Sequence, residues 1–228
     1  MKHARTAESA SSSSPSLRAL LCAALLAAAS VPGCSGMYYR TLESFGIEKR
    51  DVLADRVEDG RDAQKDAGRQ FKTTLDAFKA ATDFQGGKLE ETYGRLDTEY
   101  ERCVSSAAEV SDRIEAIENV ASDLFSEWKG EIGQISSPEL RASSQDLLAK
   151  TKARYGDLIG AMKKAEGRMP PVLTAFKDQV LFLKHNLNAQ AIASLQSNVA
   201  GIEKDVARLV SDMEASIAEA DAFIRTLG

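Results

Sequence analysis

The chain has 228 residues, of which 43% are hydrophobic, 6% are aromatic and 28% are charged, with a formal net charge of −5. All-β proteins depend on aromatic and β-branched residues with frequent turns, whereas no proline interrupts this chain between Pro32 and Pro138. The composition therefore excludes a sandwich or a barrel and predicts an all-α protein built from long helices.

The first 33 residues resemble a bacterial lipoprotein signal peptide. A basic stretch with Lys2 and Arg18 precedes a 13-residue apolar run over residues 19–31, which is too short to span a bilayer because a spanning helix needs about 20 residues. Cys34 follows directly, with Val31 three residues before it and Gly33 one residue before it, and this arrangement resembles the bacterial lipobox. The resemblance implies that residues 1–33 are cleaved and that Cys34 carries diacylglycerol and an N-acyl chain such as palmitate. The alternative is an ordinary cleaved signal with a free cysteine.

Residues 34–46 are expected to form a lipidated lead segment at a membrane surface. Position 35 is a serine, whereas the inner-membrane retention signal has an acidic residue there, so the resemblance favours the periplasmic face of the outer membrane. Tyr38, Tyr39 and Phe45 lie close behind Cys34, where amphipathic rings are favourable near headgroups. A second interpretation makes these rings a cap on the end of the helical domain.

Cleavage after residue 33 leaves 195 residues with 26 basic and 33 acidic side chains, a formal net charge of −7. A nucleic-acid partner is not expected, because phosphate binding needs a basic face. Cys22 leaves with the signal peptide and Cys34 is acylated, so Cys103 has no partner for an intrachain disulfide.

Four long helical segments are predicted in the remaining domain, residues 47–228. The first covers about 47–84 and ends at Gly86-Gly87, and the second covers about 88–132. Ser137 and Pro138 supply an N-cap and a first-turn proline for a third segment over about 138–168. Pro170-Pro171 then separates it from a fourth segment that continues to about residue 227.

The second segment carries the clearest coiled-coil pattern. Its apolar residues alternate four and three apart without exception: Leu89, Tyr93, Leu96, Tyr100, Cys103, Ala107, Val110, Ile114, Ile117, Ala121, Leu124 and Trp128. A helix of this length is about 65 Å long at about 1.5 Å per residue. The domain is therefore expected to be elongated.

The other segments repeat this pattern less regularly and are predicted to pack against the second one. Their seams are Val57, Gly60, Gln64, Ala67, Phe71, Leu75 and Phe78; Leu140, Leu147, Leu158, Met162 and Met169; and Leu173, Phe176, Val180, Leu183 and Leu187, followed by Leu195, Val199, Ile202, Val206, Leu209 and Met213. The change of register through Ala191 is interpreted as a stutter within one continuous helix. Short connections make neighbouring helices antiparallel, so the predicted fold is an elongated antiparallel bundle of about four long helices.

The chain resembles the bacterial domain-of-unknown-function family numbered 2959, which consists of small predicted lipoproteins with long helices and no assigned activity. The resemblance spans nearly all the mature chain, from Tyr38-Tyr39 to Phe223. It rests on three groups of short strings: Lys49-Arg50-Asp51 and Asp55-Arg56-Val57-Glu58; Glu118-Asn119-Val120-Ala121, Leu124-Phe125 and Glu127-Trp128; and Asp178-Gln179-Val180-Leu181 with residues 183–192.

No arrangement of side chains in the sequence specifies a reaction, a metal or a cofactor. The mature chain has one histidine, which excludes a His-paired metal site. Cys103 occupies a seam position, where a buried inert thiol is expected. Gly86-Gly87-Lys88 lacks the glycine spacing and the hydroxyl residue of a phosphate-binding loop.

One polar cluster is the candidate interaction site: Lys184, His185, Asn186, Asn188 and Gln190. In a continuous helix these side chains would cover much of the circumference, so some are expected to face the bundle. There they would form a register-fixing polar layer or contact a ligand or protein.

The predicted function is that of a non-enzymatic, lipid-anchored envelope protein with a structural or adaptor role. The alternative is a bundle that binds a small apolar ligand or a lipid in the periplasm. The expected partners are the membrane, through the lipid anchor, and an envelope protein; self-association is left open.

Overall fold

The computed structural model describes residues 49–83 and 88–227, and the remaining residues lie outside this described part. The chain divides into two units, Met1–Phe45 and Gly46–Gly228. All described residues belong to the second unit.

The described residues form five helices and no strand. They are α1 (Lys49–Thr82), α2 (Leu89–Ile132), α3 (Pro138–Glu166), α4 (Met169–His185) and α5 (Ala189–Leu227). The predicted N-cap of α3 is confirmed: Ser137 Oγ accepts a hydrogen bond from the Leu140 amide at 3.3 Å, and Pro138 is the first helical residue. None of the described helices is both long and apolar enough to cross a membrane.

Helix α1 packs against α2 and α5, and it runs antiparallel to both. Near the start of α1, Lys49 pairs with Glu127 late in α2, and near the end of α1, Thr74 Oγ1 donates to the carbonyl oxygen of Glu99 early in α2. The two helices therefore run in opposite directions. The ion pairs Arg61–Asp221 and Lys79–Glu203 show that α5 also runs in the opposite direction to α1.

Helices α3 and α4 together form one interrupted helix of the bundle. Both pack against α2 and α5, and they have few contacts with each other. Met162 of α3 lies beside Gln64, and Phe176 of α4 stacks on Phe78, further along α1, with ring centroids 4.9 Å apart. The interrupted helix therefore runs parallel to α1. The chain therefore passes Gly167 and Arg168 without reversing.

The interruption is tied to α5 by Asp212. Its carboxylate pairs with Lys164 of α3 at 2.8 Å and with Arg168, the residue that directly precedes α4. These two hydrogen bonds, that of Lys164 first, lower the pKa of the Asp212 carboxyl group below its usual value.

The prediction of one continuous fourth segment is wrong. Helix α4 is parallel to α1 and α5 is antiparallel to it, so the chain reverses at residues 186–188, where a stutter was expected. Pro170 and Pro171 lie in the first turn of α4, where a missing amide hydrogen costs no helical hydrogen bond. The all-α, elongated, antiparallel bundle itself is confirmed, with α1, α2, the interrupted helix and α5 as its four positions.

The predicted seams form the core over most of their length. In α2, every seam residue from Leu96 to Leu124 is buried except Tyr100, and all seven seam residues of α1 are buried. A close approach occurs at Gly60, where an added Cβ would lie 2.7 Å from Ile117 Cδ1. Gly156 and Gly160 of α3, although four residues apart, make no such approach, because an added Cβ at either would meet nothing within 4 Å.

Three predicted seam residues are instead exposed. Leu140 and Leu147 are 65% and 53% exposed, and Leu187 is 40% exposed. Leu187 lies in the α4–α5 turn, outside any helix. Leu140 and Leu147 lie before Tyr155 in α3, and Tyr155 contacts Phe223 near the end of α5. Since α5 ends four residues after Phe223, α3 extends past it and these leucines have no α5 residue opposite them.

Candidate functional site

The candidate cluster of residues 184–190 covers the end of α4, the turn at residues 186–188 and the start of α5. Asn186 follows the last residue of α4, and its side-chain amide donates to the Phe182 carbonyl oxygen at 3.0 Å. Asn188 precedes α5, and its side-chain oxygen accepts from the Ala191 amide at 3.1 Å. The two asparagines therefore cap the two helix ends that meet here.

The cluster does not face the bundle, contrary to expectation. Lys184, His185, Asn188 and Gln190 are exposed and Asn186 is half-buried. A chain reversal places these residues at the end of the bundle, where their polar groups reach solvent. A register-fixing layer at this position is thus excluded, while a role in interaction stays a prediction.

Exposed apolar side chains surround the same turn. Leu181 is 44% exposed, Phe182 is 39% exposed and Leu187 is 40% exposed. Lys177, Lys184 and His185 lie on the exposed side of α4 among them. We call these six residues the α4–α5 surface.

A second exposed apolar region lies at the opposite end of the bundle, near the start of α1 and the end of α5. It consists of Leu140 and Leu147, which we call the α3 overhang. Trp128 fixes this part of α3 to α2 by donating a hydrogen bond from Nε1 to Ser144 Oγ at 3.0 Å. The overhang is therefore held in place even though α5 does not reach it.

An open groove of about 400 Å³ runs between α2 and the α3–α4 interruption. Its lining is mainly apolar: Val104, Ala107, Ala108, Ser111, Lys163, Glu166, Gly167, Met169, Pro170 and Leu173. The break at Gly167 separates the ends of α3 and α4 and so opens this space beside α2.

Cys103 is an unreactive core thiol, as its seam position predicted. It is fully buried and lies 3.1 Å from Thr74 Oγ1. Burial raises the pKa of the Cys103 thiol to about 11, so almost no reactive thiolate exists at neutral pH.

Gln64 and Ser216 are buried polar side chains in the core of the bundle, and only Gln64 was named as a seam residue from the sequence. Both side chains are fully buried. Gln64 Nε2 donates to the Met162 carbonyl oxygen at 3.4 Å, while Gln64 Oε1 and Ser216 Oγ have no hydrogen-bond partner among the described residues. The glutamine in an otherwise apolar seam was the sequence signal for a buried polar side chain, whereas nothing in the sequence marked Ser216.

The N-terminal candidates Cys34, Tyr38, Tyr39 and Phe45 lie outside the described residues, so their roles stay predictions. Within residues 49–83 and 88–227, no group of three or more histidine, cysteine or acidic side chains is arranged to hold a metal ion.

Comparison with known proteins identifies the family. Residues 38–227 match the family described as a protein of unknown function, DUF2959, and the chain belongs to this family. No curated protein and no solved structure matches the chain.

Proposed function

We propose that this member of the DUF2959 family is a non-enzymatic, lipid-anchored envelope protein with a structural or adaptor role. The observation that carries the proposal is the distribution of exposed apolar side chains. The seams pack into a continuous core, while large apolar residues are left uncovered at both ends of the bundle, on the α3 overhang and on the α4–α5 surface. Contiguous exposed apolar patches mark interaction sites, and we infer that each of these two groups forms one.

The geometry of the bundle suits a spacer between two binding partners. Helix α1 alone has 34 residues, so the two surfaces lie about 50 Å apart at about 1.5 Å per residue. The core between them is packed, with Phe71, Phe78 and Phe176 fully buried. A bundle packed in this way holds two partners at a fixed separation.

The proposal includes a membrane anchor, the acyl chains on Cys34, which we place in the periplasmic leaflet of the outer membrane. Several acyl chains would retain the protein there, since each buried methylene contributes about 0.8 kcal/mol. Mass spectrometry of the mature N-terminus is expected to find an acylated Cys34. A mature protein that begins at any other residue with an unmodified amine would contradict the anchor.

In-cell photocrosslinking tests the adaptor role. A photoreactive phenylalanine analogue at Leu140 or Leu147 is expected to capture one and the same protein reproducibly. The control is the analogue at Gly156, an exposed position in the same helix with free space around it. Equal capture from Leu147 and Gly156, or none from either leucine, would contradict an adaptor surface at the overhang.

The groove beside Gly167 favours a second candidate function, the binding of a small apolar ligand or lipid. Its lining includes Val104, Met169 and Leu173, and its volume of about 400 Å³ is within the range of ligand sites. Ala108→Trp, at an exposed position of the lining, would fill the groove without entering the core and is expected to abolish binding of an apolar fluorescent probe. The groove is open to solvent, which favours the adaptor role.

A further inference from the structure

The turn between α4 and α5 is short and contains no residue that breaks a helix. Helix α4 ends at His185 and α5 begins at Ala189, so Asn186, Leu187 and Asn188 carry the reversal. The sequence has neither glycine nor proline from residue 172 to residue 200. Each of the other three connections between helices contains glycine: Gly86-Gly87, Gly133 and Gly167. Because glycine and proline are the usual residues of a reversal, a connection without them is also compatible with helix.

The apolar pattern continues through this turn. Leu183 of α4, Leu187 of the turn, and Ala191 and Leu195 of α5 follow one another at steps of four residues. Residues four apart lie on one face of a helix, so a continuous helix would place Leu187 in line with Leu183 and Ala191. Both of these residues are buried, whereas Leu187 is 40% exposed in the turn. The turn therefore exposes a side chain that a continuous helix would place on the buried stripe.

The reversed form is held locally by the two asparagine caps. Asn186 donates to the Phe182 carbonyl oxygen, and Asn188 accepts from the Ala191 amide. A continuous helix would give up these two hydrogen bonds. In exchange, it would add backbone hydrogen bonds across residues 186–188, from each amide to the carbonyl group four residues earlier. The local sequence thus supports both forms.

A single chain cannot adopt the continuous form and keep its core. Straightening the turn would withdraw α5 from α1, α3 and α4 and would expose side chains that are now fully buried, such as Leu209 and Phe223. A second copy restores these contacts when the α5 of each chain takes the place of α5 in the other bundle. Every contact between described helices is then remade, and only the turn changes. Exchange of an identical element is a low-cost route to a dimer.

We propose that two copies of this chain exchange α5 and form a dimer in which residues 169–227 of each copy are one continuous helix. The three-residue turn suits this exchange, because short hinge loops favour it. The dimer uses the contacts of the bundle itself, so it does not need the large exposed surface of a docked pair. The inference goes beyond the adaptor role and does not depend on acylation of Cys34.

Spin labels distinguish exchange from any other association. The chain from residue 34 onwards with Cys34→Ser carries labels at Lys177→Cys and Gly201→Cys, attached in the folded state while Cys103 is buried. It is mixed with excess unlabelled chain, refolded from urea at low and at high protein concentration, and separated into monomer and dimer by size exclusion. Dilution restricts pulsed electron paramagnetic resonance to distances within one chain.

We expect a dimer after refolding at high concentration, with the two labels of one chain about 36 Å apart, the length of 24 residues of helix. The monomer keeps the reversal, so its labels should lie under about 20 Å apart on neighbouring helices. A dimer that forms by docking of two surfaces would keep the short distance.

Matched variants assign the exchange to the turn. Asn186→Ala with Asn188→Ala removes both caps and adds two strong helix formers, so the dimerisation constant should rise at least about 100-fold. The control, Asn119→Ala with Asn198→Ala, makes the same change at exposed positions that are helical in both forms, and should leave the constant within about twofold. Leu187→Gly should lower the constant about 30-fold, because glycine then lies inside both continuous helices.

Three results would overturn the proposal. The first is a chain that remains monomeric after refolding at high concentration. The second is a dimer whose labels within one chain stay under about 20 Å apart. The third is equal dimerisation of the asparagine turn variant and its control, each with the helical circular dichroism of the unchanged chain. If the turn variant does not fold, the label distance in the dimer with the unchanged turn still decides the question.

Discussion

At the scale of single residues, burial decides which polar side chains matter to stability. Gln64 and Thr74 both lie on the buried side of α1, yet Thr74 Oγ1 donates to the Glu99 carbonyl oxygen whereas Gln64 Oε1 has no partner among the described residues. The sequence shows that Gln64 occupies a seam position. It does not show which groups from α3 or α5 lie opposite, because that depends on the register between helices distant in sequence.

Ser216→Ala is therefore expected to leave stability unchanged or to raise it by about 1 kcal/mol, because it removes a buried hydroxyl group without a partner. Thr74→Val is the matched control and is expected to destabilise by about 1–2 kcal/mol, because Glu99 then loses a buried donor. Urea unfolding followed by circular dichroism measures both. A loss at Ser216 as large as that at Thr74 would contradict the assignment.

Two glycines should respond in opposite ways to alanine. Gly156→Ala is expected to stabilise the bundle by about 0.5–1 kcal/mol, because alanine favours the helix and its Cβ would meet no neighbouring group within 4 Å. Gly60→Ala is expected to be net destabilising, because its Cβ would lie 2.7 Å from Ile117 Cδ1 and 3.3 Å from Met162 Cε. Thermal unfolding compares the two variants. Equal stabilisation by both would contradict the close packing at Gly60.

At the scale of helices, the sequence predicts ends better than directions. Ser137 and Pro138 correctly predict the start of α3, because capping is a local interaction. Pro170 and Pro171 correctly predict an interruption, but a proline does not determine whether the chain reverses after it. Asn186 and Asn188 suit a polar layer and a capped turn equally well by composition, so their position at the reversal could not be predicted from the pattern alone.

Asn188→Ala should destabilise the bundle by about 1 kcal/mol, because the Ala191 amide loses its cap. Gln190→Ala, an exposed change two residues later, is the control and should be nearly neutral. Chemical denaturation monitored at the helical signal gives the difference. A neutral Asn188→Ala variant would contradict the capped turn.

Asp212 should make the interruption sensitive to acid. Its pKa is lowered in the folded chain, so its ion pairs stabilise the bundle above the unfolded-state pKa, and this contribution disappears as the pH falls through the folded-state pKa. Asp212→Asn is expected to cost up to about 1 kcal/mol near pH 7 and less near pH 3. The control is Asp157→Asn, at an exposed residue with no side-chain ion pair among the described residues. A cost that is independent of pH would contradict this role.

At the scale of the whole bundle, the position of the chain reversal decides which residues lie at each end. Seam periodicity predicted the helical content and the core, because these follow from burying one apolar stripe on each helix. The antiparallel packing was predicted from the short connections. It failed at Leu140, Leu147 and Leu187, which keep the apolar pattern but lie beyond the end of a neighbour or in a turn. The reversal at residues 186–188 places the α4–α5 surface at one end of the bundle.

The most direct test is the distance between residues 177 and 201. Helices α4 and α5 line one groove, at Val172 and Asp205, so Lys177 and Gly201 should face each other across neighbouring helices. Spin labels at Lys177→Cys and Gly201→Cys in the chain from residue 34 onwards with Cys34→Ser can be measured by pulsed electron paramagnetic resonance, since this chain lacks Cys22 and buried Cys103 resists labelling. With neighbouring axes 8–10 Å apart, we predict a label separation under about 20 Å. A separation of about 36 Å, the length of 24 residues of continuous helix, would contradict the reversal.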